Sequence, residues 1–336
     1  MAPRKTLGFT HDVVTIGAAV VDEYAASDRI SIQHIAHAAV ERYACVPLGA
    51  KLNLSSLLTG PGGGAVNTAV TCARLKLHTA TIARVGTDLS GEYLRDFLRN
   101  ARVDIRSIQQ DTTQPTGKSL ILKPPTGERT IFTYRGANAR LDLSAIPPMR
   151  IRPRWFYVTS LNGHARQLAT VLDYAETVGS RVMWNPGMED LSIGLRFLSP
   201  LIQRVDILNL NREEAAFLAQ QPPRHLPRIF HTLGTLPKLA LLVSDGSKGA
   251  YLKGLERSWY CPALPGKRVD ATGAGDALGS GFLAGYVHSC DLAIALQVGM
   301  LNALSVIRRP GATEGGLTRW PAGTTLRNVR LKDVGL

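Results

Sequence analysis

The sequence contains few cysteines and no closely paired ones. Its 336 residues include four, and they lie far apart in the chain, at Cys45, Cys72, Cys261 and Cys290. Without a Cys-x-x-Cys pair, neither a zinc site nor a disulfide framework is indicated. We therefore expect a protein of a reducing compartment, the cytoplasm.

Long hydrophobic runs are also missing. The most apolar stretch, 279–306, is interrupted by His288 and Asp291, whereas a bilayer span needs roughly 18 or more apolar residues. Near the N-terminus, Arg4 and Lys5 are not followed by an apolar segment of signal-peptide length. We expect neither membrane association nor secretion.

The charge is unbalanced but not clustered. The formal net charge is +13, yet Lys and Arg form no dense block interleaved with aromatic residues, so no nucleic-acid partner is expected. A basic surface would modestly steer an anionic cosubstrate. The length and the 45% share of hydrophobic residues suit one large α/β domain or two smaller ones.

Short β-branched segments alternate with longer helical patterns, which is typical of βαβ units on a mostly parallel sheet. The predicted strands are 13–16, 79–85, 155–159, 181–184, 207–210 and 239–244. The predicted helices are 65–75, 91–100, 165–178, 274–289 and 291–308.

Two segments depart from this alternation. Residues 117–135 alternate like a strand, turn at Pro125-Thr126-Gly127-Glu128 and alternate again, which predicts an antiparallel hairpin. The segment 22–60 is irregular, and its part 30–42 is compatible with a helix. We expect lid elements within 22–60 and 115–136.

The segment Asp270-Ala271-Thr272-Gly273-Ala274-Gly275-Asp276-Ala277 leads from a turn into a helix of small residues. Gly273 and Gly275 let backbone N–H groups approach an anion, and a helix N-terminus adds partial positive charge. An aspartate in a first helical turn is also what ordinary capping provides. Its combination with two close glycines favours a base beside a transferred phosphoryl group.

These residues resemble the C-terminal signature of the pfkB carbohydrate kinase family, and the resemblance extends over nearly the whole chain. It implies a ribokinase-like three-layer α/β/α fold with a mostly parallel central sheet and a small β lid, in one domain over 1–336. It also implies that Asp276 is the catalytic base and that Gly273, Ala274 and Gly275 form the anion hole.

A second motif, Gly62-Gly63-Gly64-Ala65-Val66-Asn67, is similar to the family's acceptor-binding segment. The resemblance implies that Gly62, Gly63 and Asn67 contact acceptor hydroxyls, together with Asp22 after the first strand. A polyol needs paired donors and acceptors beside a closely approaching backbone. A plain strand-to-helix turn and a capping or solvated aspartate are the alternatives.

The donor side resembles the family in three places. Asn211-Arg212-Glu213-Glu214 looks like its Asn-x-x-Glu motif, which implies that Asn211 binds the cofactor and that Glu214 organises Mg²⁺ through water. A helix cap explains the same spacing. The resemblance also implies that Ser244, Gly246, Gly249 and Asn302 bind the cofactor. For the loop 244–249, a ligand-free β-turn is the alternative. Asp270 and Thr272 fall where family members bind K⁺.

The resemblance implies ATP-dependent phosphorylation of a hydroxyl, primary by expectation, of a monosaccharide such as ribose, fructose or a related sugar. A nucleoside kinase is the alternative, and aromatic residues in the lid would favour it; Phe132 and Tyr134 share one face of the hairpin. An inactive sugar- or nucleotide-binding regulator is a third reading. Pairing of lids in a homodimer is a further expectation.

Overall fold

The computed structural model describes residues 8–34, 42–124, 129–144 and 151–336. The strands in these residues are β1 (His11–Ile16), β2 (Val20–Ala26), β3 (Ser31–His34), β4 (Arg42–Cys45), β5 (Ser56–Gly62), β6 (Thr79–Ile82), β7 (Arg84–Gly86), β8 (Gln109–Asp111), β9 (Gly117–Lys123), β10 (Thr130–Tyr134), β11 (Pro153–Val158), β12 (Arg181–Trp184), β13 (Ile207–Asn211), β14 (Ala240–Ser244), β15 (Gly249–Gly254), β16 (Ser258–Pro262) and β17 (Lys332–Asp333).

The helices in the same residues are α1 (Gly64–Arg74), α2 (Leu89–Asn100), α3 (Ala165–Val178), α4 (Met188–Leu191), α5 (Leu195–Ile202), α6 (Arg212–Ala219), α7 (Leu226–Leu233), α8 (Ala274–Ser289), α9 (Leu292–Ile307) and α10 (Gly323–Asn328). Each long helix predicted from the sequence is present, with ends within two residues of the prediction. In the part of the chain that is described, no helix has both the length and the apolar character needed to cross a bilayer.

The central sheet is mostly parallel, as predicted. In the described residues its strand order is β17-β16-β15-β14-β13-β12-β11-β1-β6. The pairs from β6 across to β14 are parallel, and the remaining three strands add antiparallel. Because both faces of a parallel sheet are covered by crossover helices, strand side chains on either face should be buried.

Burial confirms this layering. Val14 and Phe156 belong to one buried cluster, on the side of α3, α5, α6 and α7. Val13 and Tyr157 belong to a second cluster, on the side of α8 and α9. Side chains of a strand alternate between faces, so adjacent residues of one strand build two different cores, and the fold is a three-layer α/β/α arrangement.

A second sheet stands apart from the first, and we call it the lid. Its order is β10-β9-β2-β5. The predicted hairpin is confirmed, because β9 and β10 pair antiparallel from Thr130↔Leu122 to Tyr134↔Lys118; its predicted turn, 125–128, lies outside the described residues. The lid strands come from the two segments in which lid elements were expected.

The helix predicted over 30–42 is wrong at both of its described ends. Ser31–His34 and Arg42–Cys45 are strands that pair antiparallel, from Ser31↔Cys45 to His34↔Arg42. Residues 35–41 lie outside the described part. Most side chains of these two strands are exposed, so there was no period-2 burial pattern in the sequence to reveal them.

Candidate active site

Two neighbouring cavities open at the carboxyl ends of the parallel strands, where ligands of open α/β sheets bind. One, of about 560 Å³, we call the polar cavity. The other, of about 460 Å³, we call the apolar cavity. Both are lined by Ser244, Ala271, Ala274 and Gly275, so the start of α8 forms their common border.

The polar cavity takes its side chains from the central sheet, from α8 and from the lid. Those used below are Arg129, Thr133, Arg135, Asn162, Asn185, Glu189, Asn209, Asn211, Glu214 and Asp276. The apolar cavity is lined largely by aliphatic side chains of α8, α9 and the preceding loop, which include Leu264, Leu278, Met300, Ala303, Leu304 and Ile307.

The backbone at the start of α8 fits an anion. Gly273 has a left-handed φ of 73°, and a Cβ there would lie 2.5 Å from Ala312 Cβ, so only glycine suits this position. The first helical hydrogen bond runs from Ala277 N to Gly273 O. The N–H groups of Gly275 and Asp276 precede it and belong to the turn that lacks intrahelical acceptors, where the helix dipole favours negative charge.

Asp276 lies on this first turn and lines the polar cavity. Asn67 Nδ2, on α1, donates to Asp276 Oδ2 at 2.8 Å. Burial raises the pKa of Asp276, while the hydrogen bond from Asn67 opposes that rise. The structure therefore brings together two residues that are far apart in sequence and that were both predicted to act on the acceptor.

Asn67 also carries an unsatisfied acceptor. Its Oδ1 is buried and has no hydrogen-bond partner in the described chain. Since nearly all buried polar atoms are hydrogen-bonded, this atom is suited to accept a hydrogen bond from a ligand. A hydroxyl that donates to Asn67 Oδ1 would lie beside the carboxylate that Asn67 holds.

The other predicted acceptor residues sit at the base of the lid. A Cβ on Gly62 would lie 2.1 Å from Asp22 Oδ2, and one on Gly63 would lie 2.4 Å from Ala18 O. Gly62 thus leaves room for the Asp22 side chain of the neighbouring lid strand, and Gly63 lets the backbone before α1 approach the turn between β1 and β2. Gly64, and neither Gly62 nor Gly63, is the member of this glycine run that lines the polar cavity.

Asp22 is 5% exposed and lies in a row of the lid with Ser119 and Thr133. Burial raises its pKa to about 6, and the nearby charges of Asp276 and Asp270 act in the same direction. Thr133 of this row lines the polar cavity. The row therefore forms the cavity side of the lid sheet.

Glu214 combines the two roles that the sequence left open. Asn211 and Glu214 form a capping box, with Asn211 N donating to Glu214 Oε2 at 2.8 Å and Glu214 N donating to Asn211 Oδ1 at 2.9 Å. Both residues nevertheless line the polar cavity with Asp276. Burial raises the pKa of Glu214, and the charge of Asp276 adds to this.

The predicted donor-side residues divide into two groups. Ser244, Gly246 and Gly249 line the apolar cavity, as do Met300 and Ala303 of α9. Asn302 does not line it. Its side chain is fully buried, donates to Ala277 O at 2.8 Å and accepts from Leu317 N at 2.9 Å, so both of its polar groups join parts of the protein.

Asp270 and Thr272 lie behind the cavities and line neither of them. Asp270 Oδ1 accepts from Thr272 N at 2.9 Å and from Thr272 Oγ1 at 2.7 Å. Its Oδ2 accepts from Lys123 Nζ at 2.6 Å. Although burial acts to raise it, these bonds lower the pKa of Asp270 to about 2.

The lid aromatics do not face the polar cavity. Thr133 lines it, and side chains alternate along a strand, so Phe132 and Tyr134 lie on the opposite face, 57% and 49% exposed. This pair of aromatic residues therefore gives no support to the nucleoside kinase alternative. The sequence showed that the two share a face, but not which face looks inward.

Residues of this region that sequence reasoning missed include Lys123, Arg129, Glu189 and Asn209. Asn209 could have been found, because it interrupts an otherwise apolar buried strand. Arg135, at the end of the hairpin, donates hydrogen bonds to Asn162 Oδ1 and Glu189 Oε1. No sequence signal distinguishes lid cations that face the cavity from solvated ones.

Comparisons with known proteins agree with this geometry. The family model described as pfkB family carbohydrate kinase matches residues 10–319. A fructokinase of Klebsiella pneumoniae is 30% identical over 73% of this chain and 86% of that protein. A ribokinase of Staphylococcus aureus is 24% identical over 90% of this chain and 95% of its own length.

Solved structures show the same fold. The ribokinase of Arabidopsis thaliana complexed with ribose and ATP superposes with a TM-score of 0.76 at 20% identity, covering 95% of this chain and 98% of that one. The adenosine kinase of Sinorhizobium meliloti superposes with a TM-score of 0.77 at 23% identity, covering 95% and 99%. The family model, which matches most of the chain, and the fructokinase that is 30% identical to it show that the chain belongs to the pfkB family of carbohydrate kinases.

Proposed function

We propose that the protein transfers the γ-phosphoryl group of ATP to a hydroxyl, primary by expectation, of a monosaccharide such as ribose, fructose or a related sugar. One observation carries this most directly: Asp276 lines the polar cavity, follows Gly275, which lines both cavities, and lies beside Asn67, whose Oδ1 has no hydrogen-bond partner in the described residues. A reacting hydroxyl can there meet a base and an anion-binding helix N-terminus together.

Each residue has a chemical role in this proposal. Asn67 Oδ1 accepts a hydrogen bond from an acceptor hydroxyl and so orients it. Asp276 removes the proton from the attacking hydroxyl, which typically contributes about 10²–10⁴-fold to the rate. The N–H groups of Gly275 and Asp276 stabilise charge on the transferred phosphoryl group, while Gly273 fixes the turn that aims them and Ala274 begins the helix. Asp22 binds the sugar from the cavity side of the lid, while Gly62 and Gly63 act indirectly, by leaving room for Asp22 and for the turn at Ala18.

The apolar cavity is the proposed adenine site. It offers aliphatic surface from α8 and α9, and base recognition in small-molecule sites relies largely on such surface. Ser244, Gly246 and Gly249 then lie along the nucleotide where the two cavities meet. We assign Asn302 no contact with it, since its polar groups are already used.

Magnesium fits the polar cavity through few protein ligands. Glu214 lines it with Asp276, and the described residues contain no group of three His, Cys, Asp or Glu side chains arranged to hold a metal. Mg²⁺ typically keeps several waters and is shared with phosphates. Glu214 would therefore act on the ion through water, and Asn211 holds the Glu214 side chain in place. When bound, the ion would neutralise phosphate charge.

The lid bears on the identity of the acceptor. Arg129 and Arg135 both line the polar cavity, so sugars that carry a carboxylate or a phosphate belong among the candidates. A nucleoside acceptor is the second candidate function, since the cavity offers asparagines and carboxylates for a ribose. In the hairpin β9–β10, Thr133 lines the polar cavity and the rings of Phe132 and Tyr134 lie on the other face, which favours a sugar over a base that needs stacking.

We further propose a single domain over 1–336, a cytoplasmic location, and a homodimer formed through the lid. The outward face of the lid carries four large exposed apolar side chains, Leu57, Leu120, Phe132 and Tyr134. Contiguous exposed apolar surface of this kind is typical of protein interfaces. Pairing of two lids would bury it.

A coupled assay of ADP release tests the proposed activity. The acceptor panel contains pentoses, hexoses, sugar acids, sugar phosphates and nucleosides, each with ATP and Mg²⁺. We expect strong turnover with one of the sugars and weak turnover with nucleosides. If ADP were released only when a nucleoside is the acceptor, the protein would be a nucleoside kinase and not a sugar kinase. If ATP bound but no acceptor led to ADP release, the result would favour a regulator.

A further inference from the structure

Lys123 joins the lid to the loop that precedes the anion hole. It is the last residue of β9, and its Nζ lies 2.6 Å from Asp270 Oδ2. The side chain of Asp270 is 2% exposed and that of Lys123 is 25% exposed. The ammonium group also lies 4.7 Å from the centre of the Tyr24 ring, a cation–π contact within the same lid sheet.

The carboxylate of Asp270 is fully occupied. Oδ1 accepts from the N and Oγ1 of Thr272, and Oδ2 accepts from Lys123 Nζ and, at 3.3 Å, from Gly311 N. A carboxylate offers about four lone-pair positions, and these four donors use them. A buried carboxylate requires such compensation, above all a counter-charge.

A potassium ion does not fit at Asp270 and Thr272. Its ligands would have to be oxygen lone pairs, and those of Asp270 are already taken by hydrogen-bond donors. An ion sharing Oδ2 with Lys123 would also face a positive charge at short range, which Coulomb repulsion opposes. The carboxylate of Asp270 therefore has no free lone pair for the potassium ion that was expected in this position.

The position of Lys123 explains what its charge does. Asp270 holds Thr272, and Thr272 is followed directly by Gly273 and the N–H groups of the anion hole. Fixing Asp270 thus fixes the backbone turn that has to be aimed at the transferred phosphoryl group. We propose that the ammonium group of Lys123 is a built-in monovalent cation for this loop, so that the enzyme needs no potassium.

This inference rests on the proposed function in treating the loop as an anion hole. Lys123 is a positioning residue, because it touches neither cavity and acts through Asp270. It also makes the order of the catalytic loop depend on the lid strand that carries it.

The test compares Lys123→Met with the wild type in potassium, sodium and choline chloride at equal ionic strength. The wild type is expected to be equally active in all three salts. In choline, the kcat of Lys123→Met should be about tenfold or more below that of the wild type, which is a typical factor for coupling between two sites. Adding potassium should restore the kcat, and the effect should saturate with the potassium concentration. Lys123→Arg should stay independent of the salt, since it keeps the charge.

Lys118→Met is the matched control. Lys118 lies on the same strand, pairs with Glu23 at 3.3 Å on the outward face and is 48% exposed. Its loss should leave activity unchanged in every salt. Strong activation of the wild type by potassium, or full activity of Lys123→Met in choline, would overturn the inference.

Thermal unfolding gives a readout that does not need turnover. Potassium should raise the Tm of Lys123→Met and not that of the wild type, since a ligand stabilises only a state that binds it. If no acceptor is phosphorylated, the proposed function fails while this comparison still decides the role of Lys123. If Lys123→Met does not fold, a potassium-dependent Tm of the wild type or of Lys123→Arg overturns the inference, and salt-independent values support it.

Discussion

The two cavities that share the start of α8 are built from opposite chemistry. The apolar cavity offers aliphatic side chains such as Leu278 and Met300, and the hydrophobic effect that they provide is non-directional. The polar cavity presents asparagines and carboxylates, whose hydrogen bonds have defined directions. In the proposed function, selectivity for the sugar therefore comes from the polar cavity, and catalysis depends on the backbone that both cavities share.

Removing the Asp276 carboxylate from the polar cavity should have the largest effect on kcat. Asp276→Asn keeps the shape but cannot accept the proton, so kcat should fall by about 10²–10⁴-fold. Binding of a non-hydrolysable ATP analogue should stay near the wild-type value, as measured by calorimetry.

Asp96→Asn provides the control, because Asp96 is an exposed residue of α2 paired with Arg99. It should behave like the wild type. Near-normal phosphorylation by Asp276→Asn would remove Asp276 from the mechanism.

Filling the apolar cavity should affect ATP alone. Ala303→Phe places a ring among the residues that line this cavity and denies the nucleotide about 2 kcal/mol of apolar burial, so the KM for ATP should rise about thirtyfold. The KM for the acceptor should change little. Ala303→Ser, which adds only a hydroxyl, should keep most of the ATP affinity; an equal rise in both KM values would contradict the division of roles.

A change confined to the polar cavity should have a smaller effect. Asn67→Ala deletes Oδ1, the atom without a hydrogen-bond partner in the described residues. Losing one hydrogen bond to the sugar costs about 1 kcal/mol of binding free energy, so the KM for the sugar should rise about fivefold. The KM for ATP should stay the same. Asn328→Ala, at an exposed position of α10, serves as the control, and unchanged acceptor kinetics in Asn67→Ala would exclude Asn67 from the site.

The same variant should also shift the pH profile. The hydrogen bond from Asn67 stabilises the ionised carboxylate and so opposes the rise that burial imposes on the pKa of Asp276. Without it, that pKa rises further. Because the base must be ionised, the acid limb of the kcat/KM profile should move to higher pH, and a shift to lower pH would be inconsistent with Asp276 as the base.

The central sheet and the lid differ in how well the sequence predicts them. Strands such as Arg181–Trp184 and the helix Ala274–Ser289 follow the predicted bounds, because a sheet covered on both sides leaves continuous apolar runs. In the lid, β5 is mostly exposed and β10 is exposed throughout, and the separate strand pair β3 and β4 is mostly exposed as well. Pattern alone therefore missed β3 and β4 and did not reveal which side of β10 faces inward.

The sequence by itself determined the α/β layering, the glycine turn before α8 and the candidate base, because these depend on local patterns and on backbone conformations that only glycine accepts. Tertiary structure decided the rest. It paired Asn67 with Asp276, buried the Asn302 side chain away from the apolar cavity and placed the Lys123 ammonium group against Asp270. The first and last of these contacts join residues that are more than a hundred positions apart, and no local pattern records which side chains a fold will bring together.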